Sequence, residues 1–482
     1  CYIDIEEENE KGNDDSREYS QWNFLPDIIL EKVFGYLTVK ERYYASMVCK
    51  NWYFGFHMPP VWSNFIVDDC TLTRPKYNYY SGWHHVLDHN RTQNCLMRVG
   101  RYIKGLDFRP EHSFQNLFQF MTLFAWCMDK AQSQNCPLEL AGIGAKVKSL
   151  KYTFPCSMSQ TEDPQGIKLF GTGGQLLQVL KNLLSKFRNL KILKLVDLVL
   201  DYYEANHLLD EVLDSCCTVL IYLNLVNITI IHCPILHIGL FLNLKVLVIS
   251  PQNIDDDVLQ LIADTKLKHL FLYQNRYTPM STSIRNCSEK AWKIIKRDNP
   301  ELKVHIKVES FQSNEFVFQP EAPVYSILYN SPNTQINAQA LIRTIDNYKK
   351  TLCVYGHELL PQFKSSQHFE DRVDSLLLLL VRECCFMNTL VIREAISSST
   401  VLLLAHQSKN LKIFHVRRSA TILKCEWSQN PEWSDGFYEW LKAVSKSYET
   451  VEEEISQIFS RQWKFLSDEQ YEKLEVDVRQ YT

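Results

Sequence analysis

The side chains best suited to metal chemistry form a histidine-rich cluster near position 85. His84, His85, Asp88 and His89 supply nitrogen and oxygen donors, and a helix would place His85 and His89 on one face. The additional Cys or His ligands of a zinc finger are missing at the usual spacings. The cluster therefore favours a solvated helix or loop, and no metal site is predicted.

Catalytic signatures are missing as well. The sequence contains no Gly-x-Ser-x-Gly and no Cys/His signature of a nucleophilic enzyme. His357-Glu358 lacks the second histidine of a zinc protease helix, and the glycines at 171–174 lack a following Walker lysine. We therefore expect no catalytic residue and no cofactor. An enzyme that depends on a metal or nucleotide would carry that ligand when purified.

Length and composition limit the class of protein. A chain of 482 residues contains several domains or one repetitive array, and 45% hydrophobic with 22% charged residues is typical of globular proteins. The apolar runs are far shorter than the roughly 18 residues of a membrane span. The fifteen cysteines contain no C-x-x-C pair. They indicate reduced thiols and a cytoplasmic and/or nuclear location.

Negative charge is concentrated at the two ends of the sequence. Residues 1–20 carry eight acidic and two basic side chains, and residues 426–482 carry thirteen acidic and six basic ones. The segment between them is mildly basic but lacks a long Lys/Arg cluster. Because nucleic-acid-binding proteins usually concentrate basic charge on one face or arm, no nucleic-acid partner is expected.

Two amphipathic helices are predicted immediately after the acidic leader. Apolar residues at 30, 33, 34 and 37 follow the helical i, i+3, i+4, i+7 spacing, and Pro26 suits the first helical position. Thr38 and Glu41 form the pattern of a capping box that opens the second helix. Its apolar stripe is Ala45, Val48, Cys49 and Trp52, and Trp62 follows a Pro-Pro break.

These residues resemble an F-box. The family pattern is Leu-Pro, a spaced Leu, an aliphatic-Phe pair, a Leu, Val-Cys, Trp and a later Trp, and all of these landmarks occur in order between Leu25 and Trp62. The resemblance implies a three-helix module that binds the Skp-type adaptor of a cullin-based ubiquitin ligase. The implied adaptor-binding residues, as the contact or its immediate support, are Leu25, Pro26, Leu30, Val33, Phe34, Leu37, Val48, Cys49 and Trp52. Trp52 and Trp62 are also expected to form the module's own core.

An internal repeat follows. Eight segments carry an aliphatic or Met residue at i and apolar residues at i+3 and i+5. They begin at Ile103, Val147, Leu190, Leu220, Leu244, Leu267, Met387 and Leu411. The first six begin 44, 43, 30, 24 and 23 residues apart. Leucine-rich repeats are about 20–29 residues long, so the central spacings match and the early repeats contain insertions.

Helices are predicted between these strands at 174–187, 204–216, 255–263 and 398–406. Strand–helix units of this length favour an α/β horseshoe, in which each unit packs only on its neighbours. The repeats are degenerate, because the consensus asparagine at i+8 occurs only at Asn275. Residues 300–360 have no clear register, and they are interpreted as an insertion or as a break between two sub-arrays.

The sequence therefore predicts an α/β protein of four parts: a disordered acidic leader at 1–20, the F-box at 21–65, a leucine-rich-repeat-like solenoid at 66–425 and a helical C-terminal cap at 426–482. The segment after 425 is acidic and aromatic. Predicted capping boxes at Thr450–Glu453 and Ser467–Gln470 begin helices there. A second partner site in this segment is the alternative to a cap.

Strand periodicity predicts a binding surface on the concave side of the solenoid. Residues at i+2, i+4 and i+6 face away from the core because strand side chains alternate. This surface is unusually apolar in the central repeats, with Arg393 and Arg417 at its flank. The predicted substrate-binding residues are Lys151, Ile192, Lys194, Tyr222, Val246, Val248, Phe271 and Tyr273. Burial of this face by an insertion or by the C-terminal helices is the competing interpretation.

The most consistent interpretation is a non-catalytic substrate receptor of an SCF (cullin–RING) ubiquitin ligase. The F-box would bind the Skp-type adaptor and, through it, the cullin, and the repeats would bind an unknown protein target. The alternative is a repeat scaffold that assembles proteins without ubiquitin transfer. Co-purification with a cullin distinguishes the two.

Overall fold

The computed structural model describes residues 21–80, 82–109, 114–132, 137–154, 156, 161–162, 168–169, 174–278, 286–309, 317–363, 366, 368–408 and 410–476. The acidic leader at 1–20 lies outside these ranges. None of the helices in these ranges is both long enough and apolar enough to cross a membrane.

The N-terminal half begins with helices and continues as alternating strands and helices. In chain order its elements are α1 (Asp27–Tyr36), α2 (Val39–Ser46), α3 (Lys50–Phe56), β1 (Asn64–Val67), β2 (Thr73–Asn78), β3 (Gly82–Leu87), α4 (His89–Val99), β4 (Gly105–Phe108), α5 (Phe114–Gln132), β5 (Ser149–Tyr152), β6 (Thr161–Glu162), β7 (Lys168–Leu169), α6 (Gln175–Leu184), β8 (Ile192–Leu195), α7 (Tyr202–Cys216), β9 (Tyr222–Leu225) and β10 (Val246–Ile249). Short 3-10 helices lie at Gln21–Phe24 and Pro59–Trp62, among others.

The C-terminal half continues the alternation and ends in helices. Its elements are α8 (Asp256–Ala263), β11 (His269–Gln274), α9 (Glu289–Asp298), β12 (Lys303–Val308), β13 (Val324–Tyr329), α10 (Ala338–Tyr348), β14 (Val354–His357), α11 (Asp374–Glu383), β15 (Thr389–Ile392), β16 (Ile396–Ser397), α12 (Ser398–Gln407), β17 (Ile413–Val416), β18 (Thr421–Ile422), α13 (Asp435–Val444), α14 (Tyr448–Phe459) and α15 (Asp468–Glu472).

Twelve of the described strands form one parallel sheet. Their order is β1-β4-β5-β8-β9-β10-β11-β12-β13-β14-β15-β17, so each strand pairs with the next strand of the repeat along the chain. All eight segments with the i, i+3, i+5 pattern supply strands of this sheet. Parallel neighbours joined through helices are the expected product of repeating strand–helix units.

Register aligns the predicted i+3 positions of six repeat segments with Phe65 of β1 and Val304 of β12, which lie outside those segments, into one buried row. In the first eight strands this row consists of Phe65, Leu106, Leu150, Leu193, Leu223, Leu247, Leu270 and Val304. Each of these side chains is buried. Val304 pairs with Val324, and an extra residue at Tyr325 then shifts the register, so that Ile306 pairs with Ile327. The buried positions Tyr355, Leu390 and Phe414 of the later strands therefore align with Ile306, two residues beyond Val304.

In the described residues, the helices that connect the strands of the sheet pack on one of its faces. Neighbouring helices such as α5 with α6, α6 with α7 and α8 with α9 pack side by side behind the strands. Strands stand about 4.8 Å apart, whereas packed helices need about 8–10 Å, so the array curves with its strands inside. The face opposite these connecting helices is the concave face.

The interpretation of residues 300–360 as an insertion or a break is wrong. They contain β12, β13, α10 and β14, and the sheet runs through them without interruption. Both faces of β13 and β14 are buried, so these strands lack the polar alternation of a half-exposed strand.

The N-terminal helices share a core with the sheet. Trp62 stacks on Phe65 of β1, with ring centroids 6.3 Å apart, and Phe65 stacks on Phe120 of α5 at 5.9 Å. The Ser63 carbonyl accepts from the N–H groups of Lys104 (2.8 Å) and Gly105 (2.9 Å). The helical module is therefore fused to the first repeat without a linker.

Candidate functional site

The first helix begins one residue later than the sequence predicted. Pro26 is the residue before the helix, and its carbonyl accepts from the N–H groups of Ile29 (2.9 Å) and Leu30 (3.0 Å). The predicted capping box of α2 is present. The Thr38 N–H donates to Glu41 at 2.8 Å, and the Glu41 N–H donates to the Thr38 hydroxyl at 3.3 Å.

The predicted second helix is two helices. The N–H groups of Met47 and Val48 bond to the carbonyls of Tyr44 and Ala45, three residues back, which tightens and ends α2. Cys49 is extended and precedes α3. The break produces the three-helix module and leaves Val48 61% exposed.

Aromatic packing holds the three helices together. Leu30 and Phe34 are fully buried, so these two predicted contact residues support the surface from inside. Trp52 and Phe56 pack on the Phe34 ring with centroids 5.9 Å and 6.4 Å away. Trp62 is buried and donates its indole N–H to the Phe56 carbonyl at 2.7 Å.

Arg42 is a buried cation that the sequence patterns did not single out. Its side chain donates to the carbonyls of Phe34 (2.9 Å), Leu37 (3.0 Å) and Val61 (2.8 Å). The guanidinium also lies over the Trp62 ring at 5.2 Å. Burial lowers the pKa of Arg42 below its usual value. Arg42 therefore fixes the end of α1 and the Trp62 segment to α2.

The outer surface of the module is unusually apolar. Of the thirty-two large apolar residues exposed in the described chain, eleven lie in this short segment. They are Trp22, Phe24, Ile28, Ile29, Tyr36, Tyr43, Tyr44, Met47, Val48, Tyr53 and Phe54. Such a concentration indicates a surface for another protein.

The other predicted adaptor-binding residues border this surface. Pro26 and Val48 are exposed, whereas Leu25, Val33, Leu37, Cys49 and Trp52 are half-buried. The Leu25 carbonyl accepts from the side-chain amide of Asn51 at 3.0 Å, and Trp52 donates to the Trp22 carbonyl at 2.9 Å. These bonds tie the Leu-Pro segment to α3.

A second candidate surface is the concave face of β5 to β11. Lys151, Ile192, Lys194, Tyr222, Val246, Phe271 and Tyr273 are exposed or half-buried there. The Lys194 ammonium lies over the Tyr222 ring at 5.3 Å, and Lys151 approaches Asp107 at 3.9 Å. Val248 is 6% exposed, so its side chain belongs to the interior and supports this surface.

The C-terminal segment covers the concave face of the last strands. Arg417 donates to the Asp468 carboxylate at 2.8 and 3.0 Å, which with Ser419 lowers the pKa of Asp468 to about 2. The Tyr471 hydroxyl donates to the His357 carbonyl. The Val476 N–H donates to Glu358 at 2.9 Å. We call residues 468–476 the C-terminal strap.

The strap corrects the expectation of a fully open groove. Val476 packs against a cluster formed by Tyr325, Leu328 and Val354, on the concave side of β13 and β14. Arg393 is also buried, and it donates to the carbonyls of Ser331 and Glu358. The competing interpretation therefore holds for β13 and β14, whereas Ile413 and His415 of β17 are half-buried.

A ladder of hydrogen-bonded polar side chains lies at the ends of β8 to β11. Asn227 is fully buried with φ of 47°, and its amide donates to Asp197 at 2.8 Å. Its Oδ1 accepts from Ser250 (3.1 Å) and Gln252 (3.0 Å). Asn227 stands at i+7, one position before the consensus position at i+8. The consensus spacing therefore does not identify it.

Two smaller predictions are corrected. His84 and His85 are neighbours in β3, where successive side chains point to opposite faces, so the assumed helical face of His85 and His89 does not exist. The predicted capping box at Thr450 is wrong because Ser447 caps α14, and the Thr450 hydroxyl donates to Val444 and Ser447. The box at Ser467 and Gln470 is present.

Comparison with known proteins agrees with this architecture. The F-box domain model matches residues 22–64. F-box/LRR-repeat protein 21 of cattle (Bos taurus) is 24% identical over 127 residues, which cover 26% of this chain and 26% of that protein. The mouse (Mus musculus) protein of that name gives the same values, and the sheep (Ovis aries) protein is 25% identical over 127 residues. The match thus spans about a quarter of the length of these relatives.

A similarity to a solved structure was also found. The crystal structure of a TLR13–ssRNA13 complex aligns with 67% of this chain and 50% of its own, at 12% identity and a TM-score of 0.29. The family match falls on the three helices with the exposed apolar surface, and the parallel strand–helix array follows directly. The chain therefore carries an F-box domain at residues 22–64, followed by a leucine-rich-repeat-like α/β solenoid.

Proposed function

We propose that this protein is the substrate-recognition subunit of an SCF (cullin–RING) ubiquitin ligase. The F-box domain would bind a Skp-type adaptor and, through it, the cullin. The observation that carries the proposal is the exposed apolar surface of an F-box domain fused to a repeat array. The proposed site of action is the cytoplasm and/or the nucleus.

The proposed mechanism is proximity. A receptor of this kind needs no catalytic residue, because holding the target near a ubiquitin-charged enzyme raises the effective concentration of the reacting groups. The direct packing of Trp62 on Phe65 supports this mechanism, because it fixes the adaptor-binding surface relative to the solenoid. A flexible joint would spread the target over a larger volume.

The proposed target surface is the part of the concave face that the strap leaves uncovered. Tyr222, Phe271 and Tyr273 are aromatic groups of the kind that dominate protein interfaces. Lys151 and Lys194 border them. We therefore propose that the target presents an apolar or aromatic group beside acidic residues.

Co-purification tests the adaptor and cullin parts of this proposal. The chain is expressed with a Skp-type adaptor and a cullin, and the three proteins should elute together. The Leu25→Ala/Pro26→Ala double variant should lose most of the adaptor while its solenoid stays folded. Unchanged recovery of the adaptor would refute the proposed F-box contact.

The target surface needs a separate test. Lys151→Glu/Lys194→Glu should reduce target capture, measured by affinity purification with the proteasome inhibited, and should leave adaptor binding unchanged. The alternative function is a scaffold that assembles proteins without ubiquitin transfer. Adaptor binding without any cullin in the complex would favour that scaffold.

A further inference from the structure

A β-hairpin next to the F-box domain carries a second concentration of exposed aromatic groups. Its strands are β2 and β3, which pair antiparallel from Thr73 with Leu87 to Asn78 with Gly82. Four aromatic residues occur near its tip: Tyr77 (57% exposed), Tyr79 (86%), Tyr80 (95%) and Trp83 (73%). Exposed aromatic groups at this density mark an interaction surface.

The base of the hairpin is held by helix α5. The buried side chain of Asn116 accepts from the Leu87 N–H at 3.0 Å and donates to the His85 carbonyl at 3.0 Å. It also donates to the Asp69 carbonyl at 3.3 Å. Isolated two-stranded hairpins are marginally stable. This anchor therefore lets the fold present the tip in a defined position.

The two faces of the hairpin differ in chemistry. Cross-strand pairing places Tyr77 opposite Trp83, and their rings meet edge to face at 5.4 Å. The other face carries Arg74 and Lys76, with Lys76 opposite His84. One face is therefore aromatic and the other is basic.

No carboxylate lies within residues 73–87 of the sequence to offset this positive charge. Two carboxylates at the base, those of Asp68 and Asp88, are engaged in local bonds. Asp68 accepts from the Thr71 hydroxyl at 2.6 Å and from the Cys70 N–H at 2.9 Å. Asp88 caps α4 and approaches Arg91 at 3.4 Å.

We infer that this hairpin binds an extended acidic protein segment in which apolar and acidic residues alternate. Successive side chains of a strand point to opposite faces, so a strand added beside the hairpin would place its apolar groups with Tyr77 and Trp83 and its carboxylates with Arg74 and Lys76. Two cations are too few for phosphate-driven nucleic-acid binding, which depends on neutralising several phosphates. This surface is separate from the concave face and does not require adaptor binding.

Peptide binding to the full chain tests the inference. Three fluorescent peptides of about twelve residues are compared: alternating Glu and Val, alternating Lys and Val, and a block of Glu followed by a block of Val. Fluorescence anisotropy should show binding of the alternating acidic peptide that is about tenfold tighter than binding of the block peptide and weakens with salt. The basic peptide should not bind.

Variants locate the binding. Tyr77→Ala/Trp83→Ala should lower the affinity for the alternating acidic peptide by about tenfold or more, because exposed aromatic anchors dominate such contacts. Arg74→Glu/Lys76→Glu should shift the preference to the basic peptide. Tyr203→Ala removes a comparably exposed (74%) ring from α7 and should change nothing.

Several results would overturn the inference. The acidic peptide would fail to bind, the basic peptide would bind equally well, or the hairpin substitutions would leave the affinity for the acidic peptide unchanged. Tighter binding of single-stranded oligothymidine that depends on the same residues would replace it with a nucleic-acid site. If a peptide of residues 1–20 binds and the alternating peptide does not, the hairpin would instead be assigned to a contact with the chain's own N-terminal segment.

Discussion

Arg42 shows how much of the F-box surface depends on a residue that makes no outward contact. Its guanidinium satisfies three carbonyls that would otherwise be buried or half-buried without these donors. An apolar residue of similar length fills the space but removes these donors. The Phe34 carbonyl keeps the Leu37 N–H at 3.2 Å, whereas the Leu37 and Val61 carbonyls lose their bond from the side chain. We expect Arg42→Met to destabilise the module by about 2–5 kcal/mol. Hydrogen exchange of α1 and α2, together with thermal unfolding, measures the loss.

The matched variant for this prediction is Arg42→Lys. A lysine keeps the charge but cannot reproduce the planar fork that reaches carbonyls on both sides, so it should recover only a small part of the stability. Full stability in Arg42→Lys would show that charge alone matters. An unchanged exchange rate in Arg42→Met would contradict the proposed role of Arg42.

The stability of the protein should depend on pH because two histidines, His305 and His357, are buried. Burial depresses the pKa of His305, next to His269 and Lys303, and that of His357, next to Arg393, well below 6.5. Both stay neutral in the folded protein, whereas in the unfolded chain they bind protons below about pH 6.5. The unfolded state therefore gains protons as the pH falls, and stability is lost progressively from about pH 7 to pH 5.

Thermal unfolding at several pH values checks this expectation. His305→Gln removes one titrating group but keeps a hydrogen-bonding side chain near Ser326, which lies 2.8 Å from His305 Nδ1. The decrease in unfolding temperature between pH 7 and pH 5 should be smaller in this variant. An equal decrease in both proteins would show that other groups control the pH dependence.

At the scale of the elements, leucine spacing predicted strands where the residues at i, i+3 and i+5 are apolar. β1 and β13 fit the same i, i+3, i+5 pattern, as Trp62-x-x-Phe65-x-Val67 and Val324-x-x-Ile327-x-Tyr329. They differ from the other segments because an aromatic residue replaces the aliphatic one, at i in β1 and at i+5 in β13. β12 has Glu301 at i, and β14 has His357 at i+5. In β12 the alternation of polar and apolar residues from Lys303 to Val308 indicates a strand but not its register. The register of both strands is set by pairing with their neighbours, a tertiary effect that local spacing does not contain.

The C-terminal strap could not be predicted from local patterns. Its bonds from Tyr471 to His357 and from Val476 to Glu358 join residues more than one hundred positions apart. The capping box at Ser467 predicts that a helix begins there, but it does not predict which strands the helix contacts. The same limit applies to the concave surface, because strand alternation gives the direction of a side chain but not what covers it.

Removal of the strap tests its role as a cover. A chain ending at Ser467 should expose Tyr325, Leu328 and Val354, bind more hydrophobic dye and lose several kcal/mol of stability, as large-to-small core changes do. Tyr471→Phe removes only the hydroxyl and should cost about 1 kcal/mol. Chemical denaturation and hydrogen exchange of β14 provide the measurements. Unchanged protection of β14 in the truncated chain would contradict the covered face.

At the scale of the whole molecule, one continuous core connects the F-box domain to the solenoid. It includes Leu30 and Phe34 of α1, passes through Trp62 and Phe65, and reaches Phe465 near the strap. The F-box motif and most strands could be predicted from sequence, but not this continuity, because Trp62 has a role in both parts. The division of the chain at residues 65 and 425 stays a prediction.

The affinity of the full chain for a Skp-type adaptor tests the central claim most directly. Ile29→Asp/Val48→Asp places two carboxylates on the exposed apolar surface of the F-box domain. Ile231→Asp/Leu236→Asp makes the same change at exposed aliphatic residues of the solenoid (55% and 51% exposed). We predict tight binding by the unmodified chain, a loss of about 100-fold or more in the F-box variant and no change in the solenoid variant. Calorimetric titration that shows no binding, or an equal loss in both variants, would contradict the account.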